Sequence, residues 1–540
     1  MIAQLLICLI TIGLLPISLG QVFDERFDDW PVDLKINGKV IVAGELEDLS
    51  ILGDFLRVER SKSASLIMGE KVEVTDFEEL KSLFNKEKTT IHVMVELNAL
   101  VLKKELAENE VVIIKRSQPF SVNEQKVIEG MKEDFVQFID RGGILIALGE
   151  ASGFVGSFYT KEGHSQLPSQ GLSLIPDVII DTRYNDEKDR ESLLKVLEKN
   201  SRCVGIGLAD NTALVLSGRK IQVTGSQSAT FLLASNDREP TRIQTLSKPT
   251  RNRRHLESFL LDLTQWRRDA IDRTLSIFPP VSPRPSVVEK GTLIIIGGGR
   301  SPAGLTRRMI ELAGGVNEAR LVYIPCSEED DVAERQRTVE LWKRMGVKHA
   351  TFIHTKDRNK ANTDEEFLKP LKNATGIYFG GGRQWNFADS YYGTKAHKLM
   401  KDVLKRGGVI AGSSAGASIQ GRYLARATPI SNVKIIAFGY ERGGLGFLDG
   451  VAIDQHFSER RRQKDMTRLV AKYPQLLGIG LDESTAIIVQ KSQAEVVGKG
   501  RVFFYDRQNI PESKQPDYIA LPANSKFDLV KRKVLKDGGK

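Results

Sequence analysis

The run Gly412-Ser413-Ser414-Ala415-Gly416 fits the pattern G-x-S-x-G and follows the strand-like GGVIA. Flanking glycines permit a sharp strand-to-helix turn that exposes a serine hydroxyl, which makes Ser414 the candidate nucleophile. A serine alcohol needs a base to take its proton, and histidine is the usual one. Only one histidine follows Ser414. It is His456, 42 positions later in Asp454-Gln455-His456-Phe457, at the end of the strand-like VAID, where a parallel sheet normally places its site. The histidines at 92, 164, 255, 349, 354 and 397 lack such a setting and receive no role. Gly380-Gly381-Gly382 follows the strand-like GIYF, so backbone N–H groups of Gly381 or Gly382, with that of Ala415, are candidate oxyanion donors. No acid lies between Ser414 and Phe438, and Glu441, Asp454 and Glu483 all stay open as the third member of a triad.

These residues need strands that end together. Short apolar runs supply them: KVIVAG at 39–44, GGILIALG at 142–149, TLIIIGGG at 292–299, LVYIP at 321–325 and GGVIAGS at 407–413. Between the last three lie amphipathic stretches, 304–312 and 333–345 among them, which predict a mostly parallel sheet covered on both faces. Gly297-Gly298-Gly299 resembles the start of a dinucleotide loop, but Pro302 takes the place of the third glycine of G-x-G-x-x-G, which excludes NAD. The segment IFPPVSPRP, 277–285, holds four of the chain's 19 prolines and reads as an extended linker between two halves.

The chain has 540 residues, 41% hydrophobic and 27% charged, enough for a large folded core. A net charge of +9 without any tail-like basic block argues against nucleic-acid binding. Three cysteines make no disulfide framework, and neither paired Cys/His spacing nor HExxH occurs, so no metal or cofactor is expected. Residues 1–20, MIAQLLICLITIGLLPISLG, read as a signal peptide that sends the protein to a secreted or periplasmic location, with an uncleaved membrane anchor as the rival because no Lys or Arg precedes the apolar run. No other stretch approaches the roughly 18–20 apolar residues a membrane span needs.

The halves resemble each other. GIGLADNTALVL from Gly205 aligns with GIGLDESTAIIV from Gly478, with six of twelve positions identical. VIIDTRY from Val178 aligns with VAIDQHF from Val451 at the same offset of 273, and RGGILIALGEASG from Arg141 aligns with RGGVIAGSSAG from Arg406 after a small gap. Such ordered matches predict a duplicated domain. In the first copy Arg183 stands where His456 stands, and either Ala151 or Gly149 falls opposite Ser414. Around 114–117 the glycine run is replaced by IKRS. That copy is expected to be noncatalytic, packing against its partner, regulating it or binding a ligand.

TLIIIGGG, YFGGGRQ, GSSAGAS and DQHF with GIGLDESTA, in that order, resemble the cyanophycinase group of serine peptidases, relatives of the aspartyl dipeptidase peptidase E. The resemblance covers roughly residues 290–506. It implies Ser414 as nucleophile, His456 as its base, and a doubly wound α/β domain like that of class I glutamine amidotransferases with serine in place of cysteine. It further implies cleavage at aspartyl residues and, in cyanophycinases, release of β-Asp-Arg from a polyaspartate backbone carrying arginines. Where the family's loop reads G-G-D-Q this chain has Gly381-Gly382-Arg383-Gln384, so a basic residue replaces an acidic one. A guanidinium there favours a substrate carboxylate. Gln384, Gln455, Arg460 and Arg462 are further candidates for substrate contact, the arginines keeping the spacing of the family's DQHFxxRxR.

The expected architecture is therefore two tandem doubly wound α/β domains, the first degenerate: signal peptide 1–20, noncatalytic domain 21–270, linker 271–289, catalytic domain 290–510 and extension 511–540. The expected function is a secreted peptidase acting on aspartyl or β-aspartyl bonds of a peptide or cyanophycin-like polymer, in a chain free to form homo-oligomers. The rival is a binding scaffold in which both copies are inactive. An α/β-hydrolase esterase shares the elbow, but only 42 residues separate Ser414 from His456 and no long lid region intervenes, which disfavours it.

Overall fold

The structure is a computed structural model that describes residues 34, 36–53, 63–68, 90–94, 98–160, 168–248, 260–325, 336–430, 434–508 and 516–535. The expected signal segment 1–20 and residues 333–335 of one expected helix lie outside the described residues.

Apolar runs that are buried on both faces become the central strands. In the second half, Leu293 and Ile295 point into one core cluster with Val322, Ile324, Ile377 and Ile410. Their neighbours Ile294 and Ile296 point into another with Leu321, Val409 and Ala411. This alternation is the period-2 signature of a strand with both sides covered. The helices Glu365–Lys372 and Lys395–Lys405 contribute Leu368, Leu371, Met400 and Val403 to the first cluster. Leu305–Leu312 and Arg337–Arg344 contribute Met309, Ile310, Val339 and Trp342 to the second. Each such side chain removed from water stabilises the fold by about 1.5–3 kcal/mol before entropy is subtracted.

The large sheet of this half runs His349–Phe352, Arg320–Ile324, Gly376–Phe379, Val409–Ser413 and Val288–Ile296, all parallel. Thr485–Lys491, Gln493–Gly498, Lys526–Asp528 and Lys533–Leu535 then continue it antiparallel. A smaller sheet joins Gly421–Tyr423, Leu448–Gln455, Leu477–Leu481, Val502–Asp506 and Ile519–Leu521.

The first half has a large sheet of the same strand order. It runs Thr90–Met94, Ser63–Met68, Val111–Arg116, Ile144–Gly149 and Ile36–Ala43 in parallel, then Thr212–Gly218, Lys220–Gly225 and Leu261–Asp262 antiparallel. Val40 and Val42 face one cluster, Ile41 and Ala43 the other. Its smaller sheet pairs Phe158–Tyr159, Val178–Asp181 and Val204–Leu208 in parallel and adds Ser228–Leu233 and Arg242–Ser247 antiparallel, with the short Ser169–Gln170 at the edge.

Two expected boundaries change. The proline-rich segment is not a free spacer: the Phe278 ring stacks on Tyr423 at 6.2 Å, the Gln475 amide donates to the Pro279 carbonyl at 3.1 Å, and the Ser286 hydroxyl donates to the Asp449 carbonyl at 2.7 Å. Proline lacks an N–H but keeps its carbonyl, so the segment is held by what it can still accept. Residues 516–535 are no extension either, because their strands add to both sheets and bury Phe527 and Leu529.

Candidate active site

The site lies where the two sheets of the second half meet. Strand Val409–Ser413 of the large sheet ends at Ser414, which is the N-cap of the short helix Ala415–Ser418. Ser414 has φ 57° and ψ −116°, a conformation L-residues rarely adopt, and its own N–H is spent on the Ile296 carbonyl at 3.0 Å. The turn is this tight because Gly412 and Gly416 touch: a Cβ on Gly412 would lie 2.1 Å from the Gly416 oxygen, and one on Gly416 2.2 Å from the Phe379 oxygen. The glycines of G-x-S-x-G are thus a packing requirement, and they leave the serine hydroxyl partly exposed.

His456 ends strand Leu448–Gln455 of the small sheet, with φ 48° and its N–H donated to the Gly297 carbonyl at 2.8 Å. Its Nε2 lies 2.9 Å from Ser414 Oγ, and its Nδ1 lies 2.6 Å from Glu483 Oε1. Glu483 sits in the crossing between strand Leu477–Leu481 of the small sheet and Thr485–Lys491 of the large one. Its N–H is donated to Glu459 Oε1 at 3.1 Å. Serine, histidine and carboxylate therefore form one hydrogen-bonded series, with the carboxylate on the nitrogen opposite the serine.

Of the three acids left open by the sequence, the structure brings only Glu483 to the imidazole. Asp454 is fully buried and accepts from Arg426 at 3.0 Å and Arg462 at 2.8 Å. Glu441 is enclosed by Tyr473 and Tyr423, which donate to it at 2.8 and 3.4 Å, and burial pushes its carboxyl up to about 6.

The expected substrate contacts divide in the same way. Gln384 is buried and donates to the carbonyls of Ala425 and Arg426 at 3.0 and 2.8 Å, so it supports the loop instead of facing it. Arg462 is buried on Asp454 and on the Gln455 carbonyl at 2.6 Å, and burial lowers its guanidinium to about 10. Gln455 is buried as well, its side-chain oxygen 3.4 Å from Arg462. A polar group enclosed in protein has its hydrogen bonds satisfied there, which withdraws these three from direct recognition. Arg460 is exposed and Arg383, the N-cap of helix Gln384–Tyr391, is half-exposed.

The glycine loop lies over the serine. The Gly380 N–H is taken by the Ile324 carbonyl at 2.8 Å, whereas a Cβ on Gly381 would be 3.5 Å from the Ser414 Cβ. Ala415 is the first residue of its helix, where backbone N–H groups have no partner within the helix. Sequence reasoning missed Gly298. Its φ is +106°, and a Cβ there would stand 2.3 Å from Cε1 of His456, so the imidazole occupies the space that this glycine leaves. The signal was present in TLIIIGGG, whose glycines carry the family resemblance but reveal no contact with the histidine until the fold is seen.

Among the described residues no cluster of three or more His, Cys, Asp or Glu side chains suits a metal ion, and no helix is long and apolar enough to cross a membrane. His397, one of the histidines given no role, is a buried packing residue. Burial lowers it to about 3, and its ring bridges the Gly393 N–H at 3.1 Å and the Leu445 carbonyl at 2.7 Å.

In the first half each of these positions has other chemistry. Gly149 has φ 62° and ψ −135° and caps the helix Glu150–Gly153, so it, and not Ala151, stands at the turn corresponding to Ser414. Arg183 pairs with Glu150 at 2.9 Å, and Asp210 accepts from Asn185 at 3.0 Å. Glu45 takes the place of Gly298: the Asn211 N–H donates to its carbonyl at 2.8 Å, as that of Ser484 does to Gly298 at 2.9 Å. At the place of the glycine loop Arg116 is tied to Glu124 at 2.7 Å.

A partly exposed elbow serine, hydrogen-bonded to a histidine and through it to a carboxylate, on a sheet covered by helices, is the arrangement of serine-type hydrolases. Residues 293–497 match the family model of Peptidase family S51. A cyanophycinase from Geminocystis herdmanii is 28% identical over 224 residues, which is 41% of this chain and 82% of that protein. The cyanophycinase of Trichormus variabilis is 23% identical over 231 residues, 42% of this chain and 77% of its own. Among solved structures, a peptidase from an acI-B1 actinobacterium is 22% identical with a TM-score of 0.34, covering 44% of this chain and 97% of that one. A putative peptidase E protein from Listeria monocytogenes is 16% identical with a TM-score of 0.29, covering 39% and 98%. Over residues 293–497 this chain is similar to the S51 peptidases and to cyanophycinases, which marks its second half as a serine-type peptidase hydrolase.

Proposed function

We propose that Ser414 attacks a peptide carbonyl while His456 takes its proton through Nε2 and Glu483 holds the imidazole through Nδ1. The observation that carries this reading is the series Ser414–His456–Glu483 at 2.9 and 2.6 Å. The tetrahedral oxygen is held by the N–H of Ala415 and that of Gly381 or Gly382, in a site where fixed donors act without reorganising. His456 then gives its proton to the leaving amine, and water repeats the sequence on the acyl-enzyme.

The bond cleaved is an aspartyl or β-aspartyl link, and cyanophycin is the leading named polymer because the relatives carry that name. Arg383, at the end of the glycine loop, and the exposed Arg460 supply positive charge for a substrate carboxylate. The equal strand order of the halves and their matched Gly149 and Ser414 turns support a tandem duplication of a glutamine-amidotransferase-like domain in which the first copy lost its chemistry. The apolar leader at 1–20 supports export.

The test is a comparison of β-Asp-Arg polymer, aspartyl peptides and neutral peptides with wild type, Ser414→Ala and Arg383→Asp. Acidic substrates should turn over best, Ser414→Ala should be inactive, and Arg383→Asp should lose the acidic preference. Preference for neutral peptides, unchanged in Arg383→Asp, would remove the carboxylate assignment and leave the serine mechanism standing.

A further inference from the structure

The helix Gln384–Tyr391 begins directly after the glycine loop and carries, five residues on, the buried Asp389. The cations that neutralise this carboxylate come from the other half of the chain. Arg219, in the turn between strands Thr212–Gly218 and Lys220–Gly225, donates to Asp389 Oδ2 at 2.6 Å. Arg268, on the helix Leu263–Asp272, pairs with Asp389 Oδ1. Arg219 also forks onto Asp262 at 2.6 and 2.9 Å and lies 5.0 Å over the Trp385 ring, on the same active-site helix. The Tyr440 hydroxyl meets both Asp389 oxygens at 2.9 and 3.1 Å and also Arg219. Burial alone would raise Asp389, yet Arg268 and Arg219 hold it below the usual carboxylate range.

The contact continues next to the network. The Gln265 amide donates to the Phe438 carbonyl at 2.9 Å, and Gly439, at φ +76°, lets the chain pass so close that a Cβ would be 2.3 Å from the Gln265 oxygen. Removing the cationic partners of a buried carboxylate leaves its charge uncompensated, so the first half supplies the charge compensation that Asp389 needs to stay buried. A shift of about 1 Å in a group that positions reacting atoms can cost on the order of a hundredfold in rate.

We propose that the first half is an intramolecular positioning partner of the peptidase: Arg219 and Arg268, by clamping Asp389, hold helix Gln384–Tyr391 and thereby set the Gly381–Gly382 loop over Ser414. This rests on the serine mechanism proposed above and adds a role for the half without a nucleophile. Arg219, Arg268, Asp389 and Tyr440 are positioning residues, since none touches the reacting atoms.

The test uses the full chain with Arg219→Gln and the gentler Tyr440→Phe, which removes only the hydroxyl. Three quantities are read: the rate of Ser414 acylation by a fluorophosphonate, the split between kcat and KM on an aspartyl peptide, and amide hydrogen exchange across 380–391. Acylation and kcat should fall about tenfold or more in Arg219→Gln and about threefold in Tyr440→Phe, with KM nearly unchanged. Exchange across 380–391 should rise in both. If Arg219→Gln fails to fold, Tyr440→Phe decides. Folded variants with wild-type acylation and exchange would overturn the clamp. A wild type that takes no label would count against the nucleophile, and exchange across 380–391 would still decide whether the first half holds the loop.

Discussion

The two halves carry the same turn with different residues in it. Gly149 and Ser414 share nearly the same backbone angles at the same strand-to-helix junction. Around Ser414 the neighbours are small, Gly298 and Gly381, and an imidazole fills the room. Around Gly149 they are charged: Glu45, whose carboxylate would be 3.1 Å from a Cβ at Gly149, together with Arg116, Glu150 and Arg183. The lesson is that the elbow is a property of the fold, whereas the chemistry depends on what the surrounding loops leave empty. At that turn Gly149 offers no hydroxyl to activate, and in place of an imidazole stands Arg183, which has no acceptor nitrogen and is tied to Glu150.

That contrast can be broken most severely at the nucleophile. Ser414→Ala and His456→Ala should each lower kcat by about 10³-fold or more, while Gly149→Ser combined with Arg183→His should create no second active site. Wild-type activity in Ser414→Ala would assign the chemistry to another residue.

A smaller loss should follow from filling the room beside the histidine. Gly298→Ala combines a positive φ with a methyl 2.3 Å from the ring, and should cost about 10²-fold in kcat through displacement of His456. Wild-type kinetics in that variant would show the imidazole to be held elsewhere. Glu483→Gln keeps the shape and removes the charge that stabilises the imidazolium, so kcat should drop by about 10-fold to 10²-fold with KM little changed. An equal effect from Asp454→Asn without loss of folding would move the acid's role to that residue.

The smallest effect concerns stability. His397 is buried neutral and lowered to about 3, so the folded state binds fewer protons than the unfolded one below the ordinary histidine value. Its contribution is present above about pH 6.5 and is lost progressively as pH falls toward 3. Urea midpoints of wild type and His397→Gln should converge on acidification through that window, and parallel curves would contradict the assignment.

Much of the site was legible because chemistry and geometry coincide locally. Ser414 lies inside a motif whose glycines are forced by contact, and His456 is the only histidine downstream of it. The parallel strands were visible as apolar runs. The acid was not legible, because the choice among Glu441, Asp454 and Glu483 depends on how a small sheet crosses to a large one. Gln384 and Arg462 were misread for a related reason: a polar residue beside a motif looks like a ligand contact until its buried partners, Ala425, Arg426 and Asp454, are seen. The Asp389 clamp joins residues as much as 221 positions apart, which no local pattern announces.

The central claim is that one serine of the chain is activated, and it sits in the second half. Peptide mapping by mass spectrometry after reaction with a fluorophosphonate tests this directly. The account predicts a single adduct on Ser414 in wild type and none in His456→Ala, with no adduct on Ser117 or Ser152 of the first half. An adduct on a different serine, or undiminished labelling of Ser414 without His456, would contradict it.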